Sequence, residues 1–249
     1  AFADRAAFFG DPDFGAPVPV QGLLSPAYLA KQRAAISPDH AASSKDIDPN
    51  RAPPLESDHT THFSVVDKDS NAVTCTTTLN LAYGSGVTAP GGFLLNDEMD
   101  DFTSKVGVPN AFGLIQGPRN AIAPRKRPLS SMTPTLVLGK DGKLLLALGA
   151  PGGPTIISSV LQVLLNLIDF DMTLQQAVDA GRIHHQWLPD KLFLERGISP
   201  DTVAVLQSMG HQIEYSPGVV LARVGAILAN GGWLQGAADG RWVGKAVGY

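Results

Sequence analysis

The stretch from Asp58 to Asn80 constrains this chain most. Before Thr60 the residues are polar and Pro-containing, as in a loop. After it they alternate, with His62, Ser64 and Val66 on one face of a strand and Phe63, Val65 and Asp67 on the other. A turn at Lys68-Asp69-Ser70 leads into a second strand, Ala72 to Asn80, dense in threonine. Threonine suits a pleated surface, so propensity alone makes Thr60 an ordinary strand start and most of the other threonines structural. The pattern commits this region to a β-hairpin with a loop-to-strand seam at Thr60.

The remaining chain punctuates clearly. At 249 residues with 44% hydrophobic and 17% charged, it is globular, with room for one large domain or two small ones. A net charge of −4 gives no electrostatic footprint for nucleic acid. The basic run Arg125-Lys126-Arg127 reads as a solvated loop. A single cysteine, Cys75, rules out an internal disulfide and sits mid-strand as a structural thiol. The longest apolar stretch, Ile156 to Ile168, is too short and too polar to span a bilayer. Ala1-Phe2-Ala3-Asp4-Arg5 is not a signal peptide and reads as the middle of a longer protein. Ser25-Pro26 starts a helix, and residues 38–59 have linker composition.

Four later stretches invite chemistry, each with a plainer reading beside it. Asp97, Glu98, Asp100 and Asp101 form an acidic cluster without metal-loop spacing, readable as a solvated loop. Residues 103–128 lack a period, and loops of that length are usually functional or disordered. Ser130 and Ser131 are ordinary turn residues. Gly152 and Gly153 lie between a buried strand and the helix beginning near Pro154. There the backbone is open to close approach and the helix start offers unpaired N–H groups, a setting that suits an oxyanion. The Gly-Lys-Ser/Thr ending of a phosphate loop is missing. His184 and His185, being adjacent, point to different sides and make a poor zinc pair. Thr173 to Gln176 has capping-box spacing, and Ser199-Pro200 opens a helix that ends at Gly210.

Thr60-Thr61-His62-Phe63-Ser64-Val65-Val66-Asp67 resembles the start of the small subunit of γ-glutamyltranspeptidases, also called glutathione hydrolases. Ala1 to Arg5 and Gly10-Asp11-Pro12-Asp13-Phe14 resemble the late part of that family's large subunit. The resemblance covers nearly the whole chain and is strongest from Thr60 to Ala180. It is looser at Gly236 to Arg241, where the proline that usually follows the Asp is missing, and it leaves Trp233 and Trp242 unexplained.

What the resemblance implies is specific. The fold is α+β, the αββα four-layer sandwich of N-terminal-nucleophile hydrolases, part of a larger precursor or heterodimer. Residues 1–59 are the end of the large subunit with a linker, and 60–249 are the small, catalytic subunit. The precursor cuts itself between His59 and Thr60, and Thr60 becomes the nucleophile. A threonine hydroxyl needs a base, and a freed α-amine, with a reference pKa near 8, supplies one. Thr78 orients that hydroxyl, and Gly152 and Gly153 form the oxyanion hole. Glu98 and Asp101, assisted by Asn80, hold the substrate α-ammonium through charge-assisted bonds. Ser130 and Ser131 hold its α-carboxylate, and Phe112 belongs to a lid. No cofactor or metal is implied. The partner is a large subunit from the same precursor, supplying an arginine absent from these residues, and the location is periplasmic or secreted. Two readings stand against a γ-glutamyl transferase and hydrolase. One is a cephalosporin acylase of the same superfamily, whose glutaryl-type substrate lacks the ammonium. The other is an uncut, inactive binding relative.

Overall fold

The computed structural model of the chain describes residues 1–47, 60–215 and 221–248, so His59 lies outside the described residues. The N-terminal part carries α1 (Phe2–Phe8), α2 (Val20–Leu23) and α3 (Pro26–Ala34). At the start of α3 the Ser25 hydroxyl accepts the Tyr28 N–H, with Pro26 in the first turn, as its sequence predicts. Phe2, Ala3 and Ala6 pack α1 onto Ile115, Trp187 and Leu188.

The hairpin follows as β1 (Thr60–Val66) and β2 (Ala72–Thr78), paired antiparallel from Thr60 opposite Thr78 to Val66 opposite Ala72. The Asp67 carboxylate closes the turn by accepting the N–H groups of Asp69 and Asn71. Next come β3 (Thr135–Leu138), β4 (Leu144–Gly149), α4 (Thr155–Ile168), α5 (Leu174–Asp179), β5 (Ile183–His184), β6 (Leu192–Leu194), α6 (Pro200–Ser208), β7 (Ile213–Tyr215), β8 (Gly225–Asn230) and β9 (Trp233–Ala237). A four-stranded antiparallel sheet runs β3-β4-β8-β9, and a small sheet runs β5-β6-β7 with its last pair parallel. The capping box at Thr173 and Gln176 forms as predicted.

The hairpin lies face to face on the four-stranded sheet. Thr74 Oγ1 donates to the Leu148 carbonyl at 3.1 Å. The His62 ring fills the space over Gly149, where a Cβ would come within 2.3 Å of it. This inter-sheet layer is polar. His62 Nδ1 is 2.9 Å from Thr76 Oγ1, its Nε2 is 3.1 Å from Ser64 Oγ, and the Ser64 hydroxyl donates to Thr74. Burial pushes the His62 pKa down to about 4, so the ring is neutral and can both donate and accept. On the other side of the large sheet, α4 buries Ile156, Ser159, Val160 and Val163 at helical spacing against Leu146, Leu148, Val224, Ala226 and α5. The layers among the described residues are therefore sheet, sheet and helices, and Phe63, Val65 and Val73 on the hairpin's outer face are exposed.

Two sequence expectations are refined here. The basic run is solvent-exposed at Arg125 and Arg127, as expected, and it also acts as a clasp. Arg127 donates from its guanidinium and backbone N–H to Asp11 and also pairs with Asp13, while Lys126 Nζ donates to the carbonyls of Arg119 and Ala121. The Arg127 bonds hold the Asp11 carboxyl well below the usual carboxylate range. The stretch 103–128 is ordered and packed. Phe112, Leu114, Ile115, Gln116 and Asn120 are buried in it, and bridges join Thr103 to Ala121 and Pro109 to Ile115. Trp242 lies under the Arg223 guanidinium at 4.2 Å, which accounts for that residue. Nothing in the structure accounts for the exposed Trp233.

Candidate active site

The register of the hairpin places Thr60 beside Thr78 at the open end of the pair. The Thr60 hydroxyl donates to Thr78 Oγ1 at 3.1 Å, and Thr78 Oγ1 also accepts the Asn80 N–H at 2.9 Å. Asn80 is buried with φ 74°, a left-handed turn that ends the strand and sends the chain toward the acidic loop. Its side-chain amide donates to the Asp97 carbonyl, and Asp97 in turn accepts the Leu81 N–H.

The acidic cluster forms a 3-10 turn, Glu98–Asp101. Residues three apart eclipse in that geometry, which puts the Glu98 and Asp101 carboxylates on one side. Burial, and then repulsion from Glu98, push the Asp101 pKa up to about 7, with Arg5 pulling against them. Burial also raises Glu98, with Asp97 adding to the effect. Asn120 was not singled out in the sequence, yet it fastens this turn to the serine pair. Its Nδ2 donates to the Asp101 carbonyl at 2.6 Å and its Oδ1 accepts the Leu129 N–H at 3.0 Å. Ser130 Oγ accepts the Met132 N–H, while Ser131 Oγ accepts from Arg5 Nη2 at 3.2 Å.

Gly152 and Gly153 have φ values of 138° and 54°, which L side chains rarely adopt, and they lead into α4 with Pro154 as its cap. A Cβ on Gly152 would lie 2.7 Å from the Ala222 backbone, and one on Gly153 would lie 3.0 Å from the Phe112 ring. Phe112 is thus buried against the glycine turn, its carbonyl accepting from Gln186 Nε2. A cavity of about 20 Å³ is lined by Thr60, Thr78, Asn80, Asp101, Phe112, Ser130, Ser131 and Gly153, with Met132 and Ile156 at its apolar wall. Of the candidates from sequence, Glu98 and Gly152 do not line this cavity. His59 lies outside the described residues. Sequence reasoning missed Arg5, Asn120, Met132 and Ile156. The only signal for Arg5 was a charge embedded among the apolar residues of α1.

His184 and His185 diverge. His184 sits between Ser158 Oγ and Gln186 Oε1 in the interior, and His185 faces Asp190. Among the described residues no cluster of His, Cys, Asp or Glu is arranged to hold a metal ion.

A hairpin sheet stacked on a second sheet, with a hydroxyl at the head of its first strand facing a polar cavity, defines an N-terminal-nucleophile hydrolase fold. The sequence profile of the family described as Gamma-glutamyltranspeptidase matches residues 1–249, and the chain belongs to that family. It is 47% identical over 244 residues to the Glutathione hydrolase proenzyme of Escherichia coli (strain K12), covering 98% of this chain and 42% of that protein. It therefore spans less than half the length of that relative. The structure of a gamma-glutamyltranspeptidase from Pseudomonas nitroreducens complexed with L-DON matches with a TM-score of 0.71 and 49% identity, over 76% of this chain and 98% of that one. A cephalosporin acylase from Bacillus halodurans shares the fold, with a TM-score of 0.76 at 24% identity over 98% of this chain and 43% of that one. Among the described residues no helix is long and apolar enough to cross a membrane.

Proposed function

We propose that this chain carries the end of the large subunit, residues 1–59, followed by the small, catalytic subunit, residues 60–249, of a γ-glutamyl transferase and hydrolase. The observation that carries the reading is the shared cavity, where the Thr60 hydroxyl, held 3.1 Å from Thr78 Oγ1, faces Asp101 and the two serines. A cation site and a carboxylate site flanking one hydroxyl suit an α-amino acid presented with its side-chain carbonyl toward that hydroxyl. Glutathione and related γ-glutamyl amides have that form.

Processing comes first. Thr60 Oγ attacks the His59 carbonyl, the peptide C–N bond breaks as the ester forms, and water opens the ester. The products are a carboxylate at residue 59 and a free amine on Thr60. That amine then takes the proton from Thr60 Oγ as the oxygen attacks the donor's γ-carbonyl. Gly152 and Gly153 amides at the head of α4 stabilise the oxyanion, and losing one such donor typically costs about 3 kcal/mol. Asp101, with Glu98 and Asn80, holds the α-ammonium, and Ser130 and Ser131 hold the α-carboxylate. The leaving amine takes a proton and departs, and water or an acceptor amine resolves the γ-glutamyl ester. Phe112 covers Gly153 and shields the ester from bulk water.

The large-subunit remainder supplies an arginine to the carboxylate and a helical layer over the exposed hairpin face. The enzyme works in the periplasm or outside the cell. Intact mass under denaturing conditions tests the first step, since two species dividing at His59–Thr60 are expected and one uncut species overturns it. Rates on γ-glutamyl and glutaryl anilides test the second. Faster glutaryl turnover would mean an acylase that does not use Asp101 as a cation site.

A further inference from the structure

Arg5 plays no part in the mechanism above, yet its placement is too specific for a surface charge. It is 9% exposed, donates from Nη2 to Ser131 Oγ at 3.2 Å, and lies within electrostatic reach of Asp101. Its helix is fixed in place. The Ala6 carbonyl accepts the Gly117 N–H at 2.9 Å, and a Cβ on Gly117 would come within 2.6 Å of that carbonyl. Phe2 stands perpendicular to the buried His184 ring, with ring centroids 5.7 Å apart. A buried guanidinium on a rigid helix, aimed at one hydroxyl of the cavity, needs a reason.

The chemistry of a hydroxyl supplies it. Ser131 has one proton to give and lone pairs to receive. Arg5 is donor-only, so it occupies a lone pair and leaves the Ser131 proton directed elsewhere. It also polarises the O–H, making it a stronger donor. An anionic ligand in the cavity then meets a proton rather than a lone pair.

We propose that Arg5 is a positioning residue of the γ-glutamyl site, turning the Ser131 hydroxyl into an obligatory donor to the substrate α-carboxylate. The inference rests on the reading of Ser131 given above. In the chain's order Arg5 falls before the cleavage point, so the cut piece retains a function in the donor site of the other piece.

The test is a double-substitution cycle in the full-length processed enzyme, using Arg5→Gln, Ser131→Ala and both together. Intact mass and unfolding temperature verify processing and folding. With a γ-glutamyl anilide, Arg5→Gln should raise KM about tenfold, the range for a hydrogen bond to a charged group, and leave kcat within about threefold. In the Ser131→Ala background it should add less than about twofold, since the interacting pair is already broken. With a 4-aminobutyryl anilide, which lacks the α-carboxylate, Arg5→Gln should leave KM unchanged. Multiplying effects of Arg5→Gln and Ser131→Ala, or equal losses on both anilides, would overturn the inference and leave the donor-site reading intact. An unchanged KM in Ser131→Ala alone would overturn the donor-site reading and this inference together. Should Arg5→Gln fail to fold, Arg5→Lys carries the same cycle. It keeps the charge, loses the planar fork, and should raise KM about threefold by way of Ser131 alone.

Discussion

Replacing Asp101 by Asn should stabilise the protein while disabling it, and the sign depends on pH. Unfolded, the carboxyl titrates near 3.8, while in the folded chain burial and Glu98 push it up to about 7. Between those values the folded state holds a proton that the unfolded state has released. Stability therefore falls as pH rises across that window, and the loss is complete above pH 7. The raise from 3.8 to about 7 spans about 3 units, or about 4 kcal/mol as an upper figure. Water entering the half-buried cavity reduces this to about 1–3 kcal/mol. Asn keeps the shape and carries no charge, so Asp101→Asn should recover that amount at pH 8 and nothing at pH 4. At about 2–4 °C per kcal/mol for a chain of this size, the unfolding temperature should rise by roughly 2–12 °C at pH 8. Paired thermal scans of the two proteins at both pH values make the measurement. No gain at pH 8, or an equal gain at pH 4, would refute the argument that Asp101 is a carboxylate held ionised at a cost.

The same shift sets an acid limit on activity. With Asp101 required as an anion, kcat/KM for a γ-glutamyl donor should fall below pH 7, and Glu98→Gln, which removes the largest neighbouring negative charge, should move that limb to lower pH. Thr78→Val deletes the partner of the Thr60 hydroxyl and should lower kcat by about 10–100-fold with little change in KM, as read from steady-state kinetics. Gly149→Ala drives a Cβ into the His62 ring and should destabilise the protein by about 1–3 kcal/mol in denaturant unfolding. Adding His62→Ala should restore part of that loss. Asp239→Asn breaks a buried pair 2.8 Å from Arg182 Nη2 and should cost about 3–5 kcal/mol by the same measurement. Burial would raise the Asp239 pKa, but Arg182, the Val224 N–H and Arg241 hold it below the ordinary value. The stability from this group is therefore lost as pH falls through that lowered pKa.

The hairpin was legible because its period fixes positions without reference to distant residues, whereas the candidate site roles came from the family resemblance and not from the period. The placement of Thr60 opposite Thr78 follows from alternation and a turn, but β2 ends at Thr78 and Asn80, expected within the strand, lies beyond it in a left-handed turn. The conformations of Gly152 and Gly153 follow from a strand meeting a helix. What escaped was whatever depends on contacts across long stretches of chain. Asn120 looks like any loop asparagine until the fold places Asp101 and Leu129 on either side of it. The clasp formed by the basic run escaped because nothing local shows that Asp11 and Asp13 lie against Arg127. The inter-sheet role of His62 needed Gly149 opposite it, 87 positions later in the chain. The Asp239–Arg241 motif carried a family likeness, but its work, pinning Arg182 and Glu195, appears only with the packing.

The clasps on residues 1–47 bear on what a break in the chain does. Asp11 is gripped by Arg127, Ser44 donates twice to Asp190, and the Ala41 N–H donates to the Met209 carbonyl. These attachments lie on the far side of position 60 from the segment they hold. The proposed hydrolysis at residue 59 would thus sever a covalent path without releasing either part. The unit that diffuses, sediments and unfolds would remain one particle with two new chain ends. Its integrity would then depend on concentration and denaturant as that of a complex does, and no longer as that of a single polypeptide.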